Sequence, residues 1–138
     1  MKALTIKQPW ASLIIFRGKD IENREWEAPS TLIGRRIAIH SSKKMEPEDI
    51  DDATALCYER GLPDFNIAPI DYATGSIIGV VTLKACVKQS RSLWFVGTYG
   101  FELTDPRPLP QPIPIRGQLG FWEVPEDVYE QMKAQLCR

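Results

Sequence analysis

The most chemically loaded stretch of the chain is Gly18-Lys19-Asp20-Ile21-Glu22-Asn23-Arg24-Glu25-Trp26. In an extended backbone, side chains two apart share a face, so Glu22 and Arg24 stand side by side, and Lys19 at the mouth of the segment reaches the same ground. Three ionisable groups converge there. A guanidinium steadied by a carboxylate offers a fork to a phosphate or a base edge, and a carboxylate accepts from a base amino group. Left exposed, the same residues would be an edge-strand ion pair worth about 1 kcal/mol at most. The single histidine, His40, leaves a basic segment and is followed by Lys43 and Lys44. An imidazole beside cations suits removal of a proton from a 2′-hydroxyl while the cations hold the developing charge; Glu22 with Lys19 and Arg24 could be asked for the same service. A lone histidine at a strand end is more commonly a hydrogen-bonded structural group. The catalytic candidates are therefore Lys19, Glu22, Arg24 and His40.

Charge and aromatic content say what such a site would meet. The formal net charge of -1 conceals two acidic windows. Residues 46–60 carry six acids against Arg60, and residues 123–138 carry four acids against Lys133 and Arg138. The remainder holds 14 bases and 8 acids, and Arg35 to Lys44 has four bases and no acid. A basic body with acidic appendages fits a polyanionic partner, since docking depends on the face presented rather than the total. Arg35, Arg36, Lys43, Lys44, Lys84 and Lys88 could form a basic groove, with Trp10, Trp26 and Tyr99 as stacking faces for single-stranded bases. Trp94 and Trp122, in alternating segments, belong to the core. Three cysteines without CxxC spacing and one histidine cannot assemble a cysteine/histidine zinc site, so neither metal nor cofactor is expected, and the thiols read as ordinary reduced ones.

The elements that must position these residues follow from the period of the apolar residues. At 138 residues, 43% hydrophobic and 25% charged, the chain is one domain's worth, 1–138, and neither disordered nor fibrous. No apolar run reaches the ~18 residues of a spanning helix, and Met1-Lys2-Ala3-Leu4 leads straight into alternation, which implies no membrane and a cytoplasmic setting. Lys2–Lys7 alternates as a strand. Trp10, Leu13 and Ile14 recur at helical spacing between Pro9 and Gly18. Asp20 to Trp26 is extended with no apolar face, so it borders an edge or a cleft. Arg35–Ser41 is another strand; 46–60 is a surface helix opened by Pro47 and closed by Gly61; Leu62 to Thr74 lacks a steady period and is a loop. Ile77 to Val87 is the longest β run, with Gly79 marking a bulge or a close approach. Leu93 to Leu103 and Gln118 to Val124 are aromatic strands, separated by five prolines, Pro106 to Pro114, where the chain runs extended without donating ladder bonds. A helix over 125–137 closes the chain. The sum is an α+β fold: a small, mostly antiparallel barrel with two or three surrounding helices.

The ordered set of motifs resembles a known family. Gln8-Pro9-Trp10-Ala11-Ser12-Leu13-Ile14 followed by Gly18-Lys19-x-x-Glu22-x-Arg24, then Ile39-His40-Ser41, Gly75-Ser76-Ile77-Ile78-Gly79-Val80-Val81, Trp94-Phe95, Tyr99-Gly100 and Gly117-Gln118-Leu119-Gly120-Phe121-Trp122 are similar to the ASCH domain (activating signal cointegrator homology), whose fold is that of the PUA RNA-binding barrel. The family signature is written GxKxxExR; this chain has one residue fewer between Gly18 and Lys19. The resemblance spans about residues 2 to 124. It implies a cleft between the first helix and the barrel that takes RNA, single-stranded nucleic acid or a modified nucleoside, lined by Trp10, Lys19, Glu22, Arg24, Trp26, Arg35, Arg36, Ser41, Lys43, Lys44 and Tyr99. Some small relatives hydrolyse 4-acetylcytidine with a lysine, a threonine three residues on and a glutamate elsewhere; Lys19 matches the lysine, and Glu22 stands at the threonine's place. Flanking acids Glu22 and Asp20 would also hold the Lys19 ammonium charged, the wrong direction for a base. Other relatives are ribonucleases. A hydrolase is thus the second reading, and a protein-interaction adaptor docking through the prolines of 106–114 the third.

Overall fold

The computed structural model describes residues 1–62 and 72–137. Along the chain it has β1 (Lys2–Ile6), α1 (Trp10–Phe16), β2 (Ile21–Arg24), a 3-10 turn (Ser30–Leu32), β3 (Arg36–Ser41), α2 (Pro47–Arg60), β4 (Ser76–Val87), β5 (Tyr99–Pro114), β6 (Phe121–Glu123) and α3 (Glu126–Leu136). The strands form one six-stranded sheet in the order β2-β5-β4-β3-β1-β6. All neighbouring pairs are antiparallel except β1 with β3. The expected α+β barrel-like fold with surrounding helices is present, with that one parallel pair as the departure from antiparallel order. The loop expected over Leu62 to Thr74 falls mostly on residues 63–71, outside the described residues.

Burial sets the layers. One face of the sheet gives Leu4, Ile6, Ile37, Ile39, Val81, Leu83 and Phe101 to a core completed by Ala11, Ile14 and Ile15 of α1. The opposite face gives Ala38, Ile77, Val80 and Trp122 to Val128 and Met132 of α3. Helix α2 sends Ala53 and Cys57 onto Leu13, Ile21 and Trp94. Trp94 and Trp122 are buried core residues, as expected from their patterning.

The stretch from Leu93 to Pro114 differs from the sequence reading in two ways. The strand expected from Leu93 begins only at Tyr99, because Asn23 draws the preceding turn inward: its amide donates to the Trp94 carbonyl and accepts from the Val96 N–H. The prolines 106–114 are not a free connection but part of β5, paired to β4 at Pro108 and Pro114. Prolines at every second position remove donors from one edge of an extended strand and leave the other intact. Ile115 still donates to the Gly75 carbonyl on the β4 side. Where the ladder opens between Pro108 and Ile113, the Gln135 side chain of α3 bonds both the N–H and the carbonyl of Gln111.

Gly79 sits at the tightest crossing. The ladders on both sides of β4 shift register between Ile77 and Gly79, and a Cβ on Gly79 would lie 2.7 Å from both the Arg107 carbonyl oxygen and Ile15 Cδ1. Neither the strand backbone nor the core helix can yield cheaply. Gly79→Ala should therefore lower the urea-unfolding free energy by about 1–3 kcal/mol; an unchanged midpoint would show that α1 is less firmly seated than this contact implies.

Candidate functional site: a cleft beside helix α1

Helix α1 is short, and its two ends are tied down by side chains and a left-handed turn. Gln8, wholly buried, accepts from the Ser12 N–H and donates to Ser12 Oγ and to the Ala73 carbonyl, which caps the helix start from outside its first turn. At the other end Gly18 takes φ +77°, and the Lys19 N–H folds back onto the Leu13 carbonyl. This turn directs the Lys19 side chain under the sheet edge rather than into water.

The three residues of the signature form one chain of contacts. Lys19 is 3% exposed; its ammonium donates to the Ile21 carbonyl and to Glu22 Oε1 at 3.3 Å. Glu22 Oε2 accepts from Arg24 Nε at 3.0 Å, and Arg24 Nη2 donates to the Thr5 carbonyl at 2.9 Å. The ring of Trp10 covers the Lys19 ammonium at 5.6 Å, and Trp26 lies 5.7 Å from the Arg24 guanidinium carbon. Burial pulls the Lys19 pKa below the ordinary lysine value, and the charge and hydrogen bond of Glu22 oppose that pull. Desolvation is the larger effect, which corrects the expectation that flanking acids would set the direction.

His40 is hydrogen-bonded through both ring nitrogens. Its Nε2 lies 2.7 Å from the Ile115 carbonyl and its Nδ1 3.1 Å from Thr5 Oγ1, while Trp122 Nε1 donates to that same hydroxyl at 3.0 Å. A carbonyl only accepts, so Nε2 carries the proton, and in the neutral ring Nδ1 accepts from the Thr5 hydroxyl, which itself accepts from Trp122. The imidazole is neutral with both nitrogens engaged. Burial lowers its pKa accordingly.

A cleft of about 390 Å³ opens beside this network, lined by Lys7, Trp10, Glu22, Asn23 and Arg24 on one side and by Thr5, Ser42 and Gln118 to Gly120 on the other. Of the expected set, Trp10, Glu22 and Arg24 line it, Lys19 supports it from behind and Trp26 packs on Arg24. Lys43 borders an adjoining hollow, whereas Lys44 is exposed and lines neither. The rest of the set lies elsewhere. Arg35 and Arg36 sit at the opposite end of β3, where Arg36 bonds Thr82 and Asp105 and both line a separate depression with Lys2. Ser41 is fully buried and exchanges hydrogen bonds with the Ser76 backbone. Tyr99 pairs with Arg24 in register but packs on the core, with Lys88 over its ring. Sequence reasoning missed Thr5, Lys7, Asn23, Ser42 and the turn 118–120. The paired glycines of Gly117-Gln118-Leu119-Gly120 were the available signal that this stretch is a turn and not strand.

Comparison with known proteins agrees with this architecture. The ASCH domain profile matches residues 4–106, three-quarters of the chain. The chain belongs to the ASCH domain family. It is 26% identical to human activating signal cointegrator 1 and 25% identical to the mouse protein, each over 98% of this chain. It spans about a quarter of the length of those relatives, 24% in each case. The crystal structure of ASCH from Zymomonas mobilis superposes with a TM-score of 0.54 at 16% identity, over 96% of this chain and 93% of that one, which is a likeness of fold. Lys19, Glu22 and Arg24, expected from the resemblance, are the residues of the contact chain above and fall within the matched range. No helix among the described residues is long and apolar enough to cross a membrane.

The neutral His40 gives a pH signature. Its folded pKa lies below the ordinary histidine value, so as pH falls through about 6.5 the unfolded chain takes up the proton first. The stability His40 contributes is complete above that pH and is lost as pH falls toward the lowered folded value. Urea titrations at pH 7.5 and 5 should show wild type losing more stability than His40→Gln; an equal loss in both would unlink the imidazole from the transition.

Proposed function

We propose that this ASCH domain binds single-stranded nucleic acid, RNA foremost, by taking one nucleotide into the cleft between Trp10 and Arg24. The observation that carries the reading is the guanidinium of Arg24. It is clamped at Nε by Glu22 and at Nη2 by the Thr5 carbonyl, and its Nη1 hydrogens have no protein partner among the described residues. A planar cation already fixed in orientation binds a phosphate or a base edge with little further ordering. Trp10 and Lys7 on the same cleft supply a ring to stack on and a second cation.

The groups that hydrolysis would need are already committed. Glu22 is held between Lys19 and Arg24, the Lys19 ammonium is buried and bonded to the Ile21 carbonyl and Glu22, and both His40 nitrogens have partners. A general base is most effective when its charge is not already neutralised by fixed cations, as that of Glu22 is here. This favours binding over catalysis, and the departure at Glu22 from the threonine of the acetylcytidine-hydrolysing relatives points the same way. The adaptor reading loses ground for a different reason: the proline segment is a strand of the sheet, partly bridged by α3.

Two measurements test this. Labelled RNA 10-mers titrated at 50 and 200 mM salt should bind with a clear salt dependence, and Arg24→Ala should cost at least about tenfold in affinity at low salt while thermal unfolding moves only a few degrees. Equal affinity in wild type and Arg24→Ala would reduce the contact chain to a structural device. Incubation with 4-acetylcytidine should release no cytidine; turnover abolished by Lys19→Ala would overturn the ranking of binding above hydrolysis.

A further inference from the structure

The cleft does not end at Arg24. A second hollow of about 960 Å³ adjoins it, lined by His40, Lys43, Gly75, Pro114, Ile115, Arg116 and Gly117, and the two share Thr5, Ser42, Gln118 and Leu119 as a common saddle. Among the described residues the cations lining this joint groove are Lys7, Arg24, Lys43 and Arg116, and the one acid is Glu22, whose charge is already shared between Lys19 and Arg24. Walls of Pro114, Ile115 and Leu119 make the second hollow mainly apolar. Leu119 is 98% exposed although it lines both hollows, so no group among the described residues covers it. It is held there by its turn: Gly120 adopts φ +65°, and Gly117 packs so closely that a Cβ would lie 2.6 Å from Thr5 Oγ1 and 2.7 Å from His40 Cε1. The floor of the groove, the Thr5–His40–Trp122 network, fixes that turn through the His40 bond to the Ile115 carbonyl.

We infer that the second hollow is a subsite for the adjoining nucleotide of a bound RNA strand, with Leu119 standing between two successive bases and Arg116 answering the phosphate that joins them. An apolar side chain between two basic, apolar-walled hollows has the form of a divider that two unstacked bases can flank. The inference rests on the function proposed above and extends it from one nucleotide to two. His40 supplies no proton here; its part is to hold the turn carrying the divider.

The test compares uridine 5′-monophosphate with the dinucleotide UpU by calorimetric titration, in wild type, Arg24→Ala, Arg116→Ala and Leu119→Ser. Arg116 and Leu119 are both exposed, so circular dichroism should show the variants folded. A second occupied subsite should make the dinucleotide bind about tenfold or more tightly than the mononucleotide. Arg116→Ala and Leu119→Ser should each erase most of that gain, and Arg116→Ala should also flatten the salt dependence by about 0.7 in the log–log slope. If the mononucleotide binds through Arg24 but the dinucleotide gains nothing, or gains equally in all variants, the second subsite is wrong while the first stands. Binding of neither ligand, with longer RNA also unbound, would overturn both.

Discussion

Everything distinctive in this molecule hangs on one carboxylate. Glu22 lies 7% exposed between two cations, and neither of its oxygens is idle. Placing an anion there is costly unless it is paired, and burying an ammonium as deeply as Lys19 is costly unless an anion meets it. The pair therefore locks the turn after α1 to the edge strand β2, and the surplus positive charge is displaced outward onto Arg24. The arrangement converts a buried electrostatic cost into one well-oriented guanidinium at the surface of a cleft.

Much of the fold was legible because period and punctuation agree. Pro47 and Gly61 bound α2 where expected, Glu126 begins α3 after Pro125, and Gly79 marks both a register shift and a close approach. The site was legible where residues share one strand: Glu22 and Arg24 touch because they are two apart. It failed where tertiary placement decides. Arg35 and Arg36 belong to the same basic run as Lys43, but about six residues of β3 put them roughly 20 Å apart along the sheet. Ser41 and Ser42 are neighbours with opposite fates, since alternation sends one into the β4 ladder and the other into the cleft. The setting of His40 depends on partners as distant as Ile115 and Trp122, which no local pattern announces.

The groove draws its two walls from distant parts of the chain. Thr5, Lys7 and Trp10 come from the beginning, and Pro114 to Gly120 from beyond the residues that the family profile matches. The short strand β6 brings them together by pairing with β1, and Trp122 fastens the join with its bond to Thr5. Lys7, Trp10, Glu22 and Arg24 thus meet Gln118 to Gly120 across the cleft, although more than ninety residues separate the two groups in the chain.

The alternate prolines of β5 carry a consequence for life in a crowded solution. Past Glu102, where β2 stops, one side of this sixteen-residue strand has no strand beside it among the described residues. An open flank of that length normally invites another chain to dock by backbone hydrogen bonding and start an aggregate. Five imino acids in register withhold the donors such an intruder would need, so the strand can remain long enough to build the groove wall without becoming a template for assembly.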